Sequence, residues 1–106
     1  MTEDVFRKLF RRRQRLIQAA DSAVAEAERI FSLAESGQKQ RNAAAAARKC
    51  ERAASLYVKA GLGLLAKEQY AAASRYYCLC QDRERARLSQ ERWTAVPTYW
   101  EDDQTA

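Results

Sequence analysis

Residues 64–80, LLAKEQYAAASRYYCLC, hold two cysteines and three tyrosines, side chains whose thiols and phenols can do chemistry. Cys78 and Cys80 are two residues apart, which on a helix places them about 200° apart around the axis, so they cannot hold one metal ion together. The chain has no histidine, the commonest metal ligand and the side chain best matched to proton transfer near neutral pH. We therefore expect no metal site, no cofactor and no enzymatic activity.

The tyrosines fit a packing role better than a chemical one. Tyr70, Ala73 and Tyr77 share one face of a helix, with the alanine between the two rings. A small residue there lets a neighbouring helix approach closely, while the rings fill the space on either side. We therefore interpret residues 64–70 as a tight turn between two helices, and we expect Cys80, like Cys50, to be buried as a small apolar residue.

Three segments have the apolar spacing that is typical of amphipathic helices. Residues 3–35 predict one continuous helix about 50 Å long. Residues 42–66 predict a second helix, and residues 68–93 predict a third, which Pro97 prevents from continuing. The expected buried face of the second helix consists of Ala43, Ala46, Ala47, Cys50, Ala53, Ala54, Tyr57, Ala60 and Leu64. That of the third consists of Tyr70, Ala73, Tyr77, Cys80, Glu84 and Leu88.

These helices define the expected architecture. Only three glycines and one proline interrupt 106 residues, which favours long helices over strands. We predict an all-α fold, an antiparallel three-helix bundle with a long first helix. The bundle is expected to occupy residues 1–94, and residues 95–106 form an acidic tail in which Tyr99 and Trp100 would gain by packing onto the bundle.

The sequence GLGLLAKEQYAAASRYY, residues 61–77, resembles the helical hairpin shared by tetratricopeptide (TPR) repeats and by MIT domains, the microtubule-interacting and trafficking modules. Gly63, Tyr70, Ala73 and Tyr77 are the matching positions. A TPR protein normally needs about three repeats, and only one is visible, so the chain is more similar to an MIT domain. This resemblance implies a hairpin between helices 2 and 3 that binds short motifs of membrane-remodelling ESCRT-III subunits, in trafficking or cytoskeletal work.

Basic residues are concentrated in two places on a chain of net charge +5. In the first helix the run RKLFRRRQR, residues 7–15, has six basic residues, no acid and interleaved apolar side chains, which is typical of a helix that lies on anionic lipid. In the third helix, arginines lie beside Tyr76, Leu79 and Trp93. A groove between helices 2 and 3, apolar at its floor and basic at its rim, would accept an amphipathic helix with acidic flanks.

These two regions supply the candidate site residues. The candidate membrane- or anion-binding residues are Arg7, Lys8, Arg11, Arg12, Arg13 and Arg15. The candidate partner-binding residues are Arg75, Tyr76, Leu79, Arg83 and Arg87. For each set, an ordinary solvated helix face is the competing interpretation.

The leading hypothesis is a non-catalytic adaptor domain that recognises an acidic amphipathic helical motif of a protein partner. The alternative is a basic surface module that docks on anionic membrane or nucleic acid through the first helix. Nucleic acid is the weaker of the two, because no recognition helix or RNA motif is present. No apolar run approaches the ~18 residues of a membrane span, and an odd cysteine count suits a reducing compartment, so we expect a soluble, cytoplasmic protein.

Overall fold

The computed structural model describes residues 2–33 and 38–97, which form four α-helices and no strand. The helices are α1 (Thr2–Ser32), α2 (Lys39–Lys59), α3 (Gly63–Leu79) and α4 (Arg83–Ala95). The all-α class is confirmed. The predicted count of three helices is wrong, because the segment predicted as one helix over residues 68–93 contains most of α3 and then α4.

The turn between α2 and α3 lies earlier than predicted. Gly61 has a φ of 80°, in the left-handed region that glycine adopts without steric cost. The Leu62 amide donates to the Tyr57 carbonyl at 2.8 Å and the Gly61 amide to the Val58 carbonyl at 3.0 Å, which is a Schellman turn. The prediction of a helix through residue 66 and a turn over residues 64–70 is therefore wrong, since these residues belong mostly to α3.

A second turn of the same kind separates α3 from α4. Gln81 has a φ of 63°, the Asp82 amide donates to the Tyr77 carbonyl at 2.9 Å, and the Gln81 amide donates to the Cys78 carbonyl at 3.1 Å. The Asp82 side chain then accepts the Arg85 amide at 3.1 Å and caps α4. Glycine usually marks a turn of this kind, but position 81 is a glutamine, which rarely adopts this conformation. Nothing in the sequence therefore marks the end of α3.

Consecutive helices pack antiparallel, and small residues line their contacts. One group of buried residues, the turn-side core, lies towards the α2–α3 turn and contains Ala20, Ala23, Ala53, Ala54, Tyr57, Ala66, Tyr70 and Val96. The second group, the far core, contains Ala27, Ala46, Ala47, Cys50, Ala73, Tyr77 and Ala86. Alanine at these contacts lets the helix backbones approach closely, and the three tyrosines fill the remaining space.

The predicted buried faces can now be compared with the structure. On α2, every predicted residue from Ala43 to Ala60 is buried. Leu64 is 49% exposed because it lies at the start of α3. Beyond Tyr77 the predicted stripe of the third helix fails: Cys80 is half-buried, and Glu84 and Leu88 are exposed, because the turn at residues 80–82 reorients the chain.

The first three turns of α1 extend beyond the bundle. All residues from 2 to 13, here called the overhang, are exposed, and the first buried residue of α1 is Ala20. At the other end of the described chain, Val96 follows α4 directly and is 8% exposed in the turn-side core. Of the predicted tail, Ala95 belongs to α4, and residues 98–106, which include Tyr99 and Trp100, lie outside the described residues, as do residues 34–35 of the predicted first helix.

Candidate interaction surfaces

The overhang carries four large apolar side chains on one face. Val5, Phe6, Leu9 and Phe10 are 58%, 71%, 59% and 54% exposed. At about 100° per residue they fall on the same side of α1 as Ala20, which is fully buried. One continuous apolar stripe is therefore covered by the bundle in its second half and uncovered in the overhang.

Five of the six predicted anion-binding residues form the polar face of the same turns, and two of them, Arg7 and Arg12, lie where it borders the apolar face. These exposed cations are Arg7, Lys8, Arg11, Arg12 and Arg15. Within residues 2–33 and 38–97 none of them forms an ion pair, and Glu3 and Asp4 in the first turn are the only acids of the overhang. The sequence analysis grouped these cations together, and the structure places them on one side of an amphipathic helix.

Arg13 is placed differently from the other five. It lies in the middle of the apolar stripe, and its Nε donates to the Ala60 carbonyl at 2.9 Å. Ala60 is the C-terminal cap of α2, where unpaired carbonyls make the helix end partly negative, so a guanidinium there is favourable. Arg13 therefore ties the base of the overhang to the end of α2.

The predicted partner-binding residues do not converge on one groove. Arg75 and Tyr76 of α3 line a cavity of about 220 Å³ with residues of α1 and with Cys50 of α2. The Tyr76 ring is 5.0 Å from that of Phe31 on α1, in a tilted arrangement. Leu79, 53% exposed, ends α3 just before the turn.

The other two predicted residues lie beyond the turn, on α4. Arg83 is exposed, and Arg87 forms ion pairs with Glu84 and Glu91 of its own helix. The sequence analysis placed these arginines on the same helix as Arg75. Because α4 is a separate helix, a turn separates these two arginines from Arg75 along the chain, and at about 100° per residue they fall on the same side of α4 as Gln90 and Thr94.

The cleft between α3 and α4 is a larger concavity than the cavity beside Tyr76. It encloses about 380 Å³ and is lined by Ala71, Ser74, Arg75, Gln90, Trp93 and Thr94. Trp93 is 43% exposed, and Lys67 Nζ lies 4.5 Å from the centre of its ring. Lys67 and Arg75 thus make the cleft basic beside one exposed aromatic surface.

Two tyrosine–carboxylate hydrogen bonds join successive helices, and the sequence analysis missed both. The Tyr57 hydroxyl of α2 donates to Asp21 of α1, and the Tyr77 hydroxyl of α3 donates to Glu51 of α2. Each tyrosine also supplies the carbonyl that closes the following Schellman turn. The recurrence of tyrosine four residues before each left-handed position was the one available signal.

Glu51 connects three helices. One of its oxygens accepts from Tyr77 of α3, and the other pairs with Arg92 of α4. Burial, followed by this hydrogen bond, raises the pKa of Tyr77, and the same causes raise the pKa of Tyr57 to about 12. Both phenols therefore remain protonated donors near neutral pH, which gives them a structural role.

The three cysteines lie in different environments. Burial raises the pKa of Cys50 to about 11, so its thiol stays protonated near neutral pH. Cys80 is half-buried, which departs from the predicted burial, and its thiol donates to the Tyr77 carbonyl at 3.3 Å. Cys78 is exposed. Among residues 2–33 and 38–97, no group of three side chains could hold a metal ion.

Comparison of the chain with protein-family models, with curated proteins and with solved structures finds no match. In the described part of the chain, every helix is too short or too polar to cross a bilayer. The basis for assigning a function is therefore the geometry of the surfaces themselves.

Proposed function

We propose that this chain is a non-catalytic docking module that binds an anionic lipid surface through the overhang. The observation that carries this proposal is the pairing, on the same helical turns, of four uncovered apolar side chains with a polar face of five cations, none of which forms an ion pair within residues 2–33 and 38–97. A helix with a basic polar face and phenylalanine and leucine on the other lies in the interface plane, with its apolar face at the acyl boundary.

Lipid accounts for both sides of the overhang. Insertion of Phe6 and Phe10 removes apolar surface from water, and full burial of one such side chain contributes roughly 1.5–3 kcal/mol. Each Lys or Arg held close to an anionic leaflet adds about 1 kcal/mol, and this attraction decays within a Debye length. Binding is therefore expected to be reversible and to weaken as salt increases.

The overhang also has the rigidity that such docking requires. Arg13 holds its base to the end of α2, and Ala20 and Ala23 fix the following turns in the core. The amphipathic turns are thus already helical and continuous with a packed helix, so little ordering of the chain is needed on binding.

Vesicle flotation tests this proposal. The wild-type chain should float with phosphatidylserine-containing vesicles and much less with neutral phosphatidylcholine vesicles. Phe6→Ser with Phe10→Ser should abolish flotation, and charge reversal of Lys8, Arg11 and Arg12 to Glu should do the same. Arg13 is left unchanged because its hydrogen bond to α2 is structural.

Leu79→Ser is the matched control, since Leu79 is exposed to about the same extent on α3. This variant should float like the wild type. Equal flotation of wild type and the Phe6/Phe10 variant would exclude the overhang as the contact. Binding to RNA but not to anionic vesicles, lost on the same charge reversal, would instead support the nucleic-acid alternative.

A second candidate function is recognition of an acidic amphipathic helix of a protein partner, which the sequence favoured. Its support is the basic α3–α4 cleft with the exposed Trp93. Arg75→Glu should weaken binding of an acidic helical peptide at least tenfold, about 1.4 kcal/mol, as followed by NMR titration. Reversal of Arg83 and Arg87, which lie on the same side of α4 as the cleft residues Gln90 and Thr94, should weaken binding as well.

Unchanged peptide affinity in all of these variants would remove the second candidate. The same variants should float with anionic vesicles as the wild type does, which separates the two functions. The resemblance of residues 61–77 to MIT and TPR hairpins, with the trafficking role that it implies, stays a prediction.

A further inference from the structure

The described residues leave the apolar face of the overhang uncovered, with Val5, Phe6, Leu9 and Phe10 all more than half exposed. We propose that residues 98–106, TYWEDDQTA, dock on this face in the lipid-free protein. Tyr99 and Trp100 cover the base of the face at Leu9 and Phe10, and the carboxylates that follow pair with the bordering arginines.

The point at which the described chain ends places this segment within reach. Val96 is buried in the turn-side core, which also contains Ala20 and lies at the end from which the overhang projects. From Val96 to Trp100 an extended chain covers up to ~13 Å, and from Ala20 to Phe10 the helix rises ~15 Å. With the length of its side chain added, Trp100 comes within reach of Phe10, and the acids that follow reach further along the overhang.

The chemistry of the segment matches this face. Tyr99 and Trp100 are adjacent and are followed directly by Glu101, Asp102 and Asp103. On the helical wheel Arg12 borders the apolar face beside Leu9, and Arg7 borders it beside Phe10. Aromatic rings followed by carboxylates therefore meet an apolar strip edged by guanidinium groups, which hold carboxylates in bidentate fashion.

The other clefts fit the segment less well. The cleft between α2 and α4, about 290 Å³, offers Arg48, Arg85 and Arg92 but Leu88 as its one large aliphatic lining residue. The α3–α4 cleft offers one lining arginine, Arg75, beside Trp93. To bind the two aromatic rings and the three carboxylates of the segment, a surface needs several apolar side chains beside several cations. The overhang has both.

Docking of this segment does not depend on lipid binding. Where both occur, the segment and the bilayer compete for the same apolar face, so docking lowers the apparent affinity for lipid. If the docked form outnumbers the free form about tenfold, deletion of residues 98–106 should strengthen binding to phosphatidylserine vesicles about tenfold.

Tryptophan fluorescence tests docking without lipid. In the full chain with Trp93→Phe, Trp100 is the remaining tryptophan, and its emission should lie at shorter wavelength than in the same protein unfolded in urea. Leu9→Ser with Phe10→Ser should move the emission to the water-exposed position, whereas the matched Leu79→Ser should leave it unchanged. Because all three substituted residues are exposed, circular dichroism should show the same helix content in every variant.

Each of the following results would overturn the inference. They are a water-exposed emission of Trp100 in the parent, a shift that survives Leu9→Ser with Phe10→Ser, and a shift that disappears on dilution, which would mean that the segment contacts a second copy. A shift sensitive to Leu79→Ser would likewise assign the segment to another surface.

The vesicle measurements separate this inference from the proposed function. If Trp100 is docked on the overhang but neither the full chain nor the chain lacking residues 98–106 floats, lipid docking fails and the inference stands. If both chains float equally and Trp100 is water-exposed, the inference fails and lipid docking stands.

Discussion

Replacing Ala73 with leucine tests whether close helix contact holds this fold together. Ala73 is fully buried on α3 and belongs to the far core with Ala46, Ala47 and Cys50 of α2. Leucine adds three carbon atoms at a position where the facing residues are small. Alanines have no side-chain rotamers that could move away, so the added volume must displace one helix backbone from another.

The expected cost follows from that packing. Overpacking a well-packed core typically costs about 1–3 kcal/mol, and the small residues of α2 in this core, Ala46, Ala47 and Cys50, have little freedom to move aside, which puts Ala73→Leu at about 2–3 kcal/mol. Alanine and leucine are both strong helix formers, so helix propensity contributes little. For a domain near this size 1 kcal/mol corresponds to about 4–8 °C in Tm, so the melting temperature should fall by about 10–20 °C.

Ala71→Leu is the matched control on the same helix. Ala71 lines the α3–α4 cleft, where about 380 Å³ of space can accept the larger side chain. Thermal unfolding followed by circular dichroism should show less than about 0.5 kcal/mol of change for this variant. If the two variants melted at the same temperature, close packing at Ala73 would not be what stabilises the α2–α3 contact.

Four further outcomes are expected. Tyr77→Phe should cost about 1–2 kcal/mol in urea unfolding, because a part-buried charge-assisted hydrogen bond is lost; Tyr57→Phe should cost less, since its carboxylate partner is exposed to water. Cys78 should react with a thiol reagent rapidly in the native state, whereas Cys50 should react only on unfolding; rapid labelling of both would contradict the core packing. Gln81→Gly should stabilise the chain by about 0.5–1 kcal/mol in urea, because glycine adopts the left-handed φ without strain; an unchanged urea midpoint would contradict this account. The folded-state pKa of Cys50 is raised from 9.0 to about 11, and that of Tyr57 from 10.0 to about 12. The contribution of these two protonated groups to the free energy of unfolding is therefore full below about pH 9 and is lost as pH rises through 11 to 12. An alkaline unfolding titration should detect this loss.

The buried face of α2 could be predicted because it depends on local spacing. Alanine, cysteine and tyrosine recur every three to four residues, and each predicted position from Ala43 to Ala60 is buried. The uncovered start of α1 could also be predicted, because Arg13 interrupts the apolar stripe of this helix. The division of the predicted third helix into α3 and α4 could not be predicted, because Gln81 adopts a left-handed conformation that is rare for glutamine.

The basic face of the overhang could be predicted from the sequence, whereas the grouping of the partner-binding residues could not, because only the first depends on local spacing alone. The five cations of the overhang lie within one stretch of helix, so spacing alone places them on one side. Arg75, Leu79 and Arg87 are separated by a turn, so their grouping required knowledge of where α3 ends. The hydrogen bonds between Arg13 and Ala60 and between Tyr77 and Glu51 join residues that are 47 and 26 positions apart, which a local sequence pattern cannot indicate.

The amino-acid sequence by itself determined the all-α class, the alanine-rich contact face of α2 and the amphipathic character of the first turns of α1. These properties follow from helical periodicity and side-chain polarity, which act over a few residues. The tertiary structure decided the number of helices, because a left-handed residue at position 81 is stable only where the surrounding packing holds it. It also decided which half of the apolar stripe on α1 is covered, since α2 ends at Lys59 and Arg13 closes that end, leaving Phe6 and Phe10 exposed.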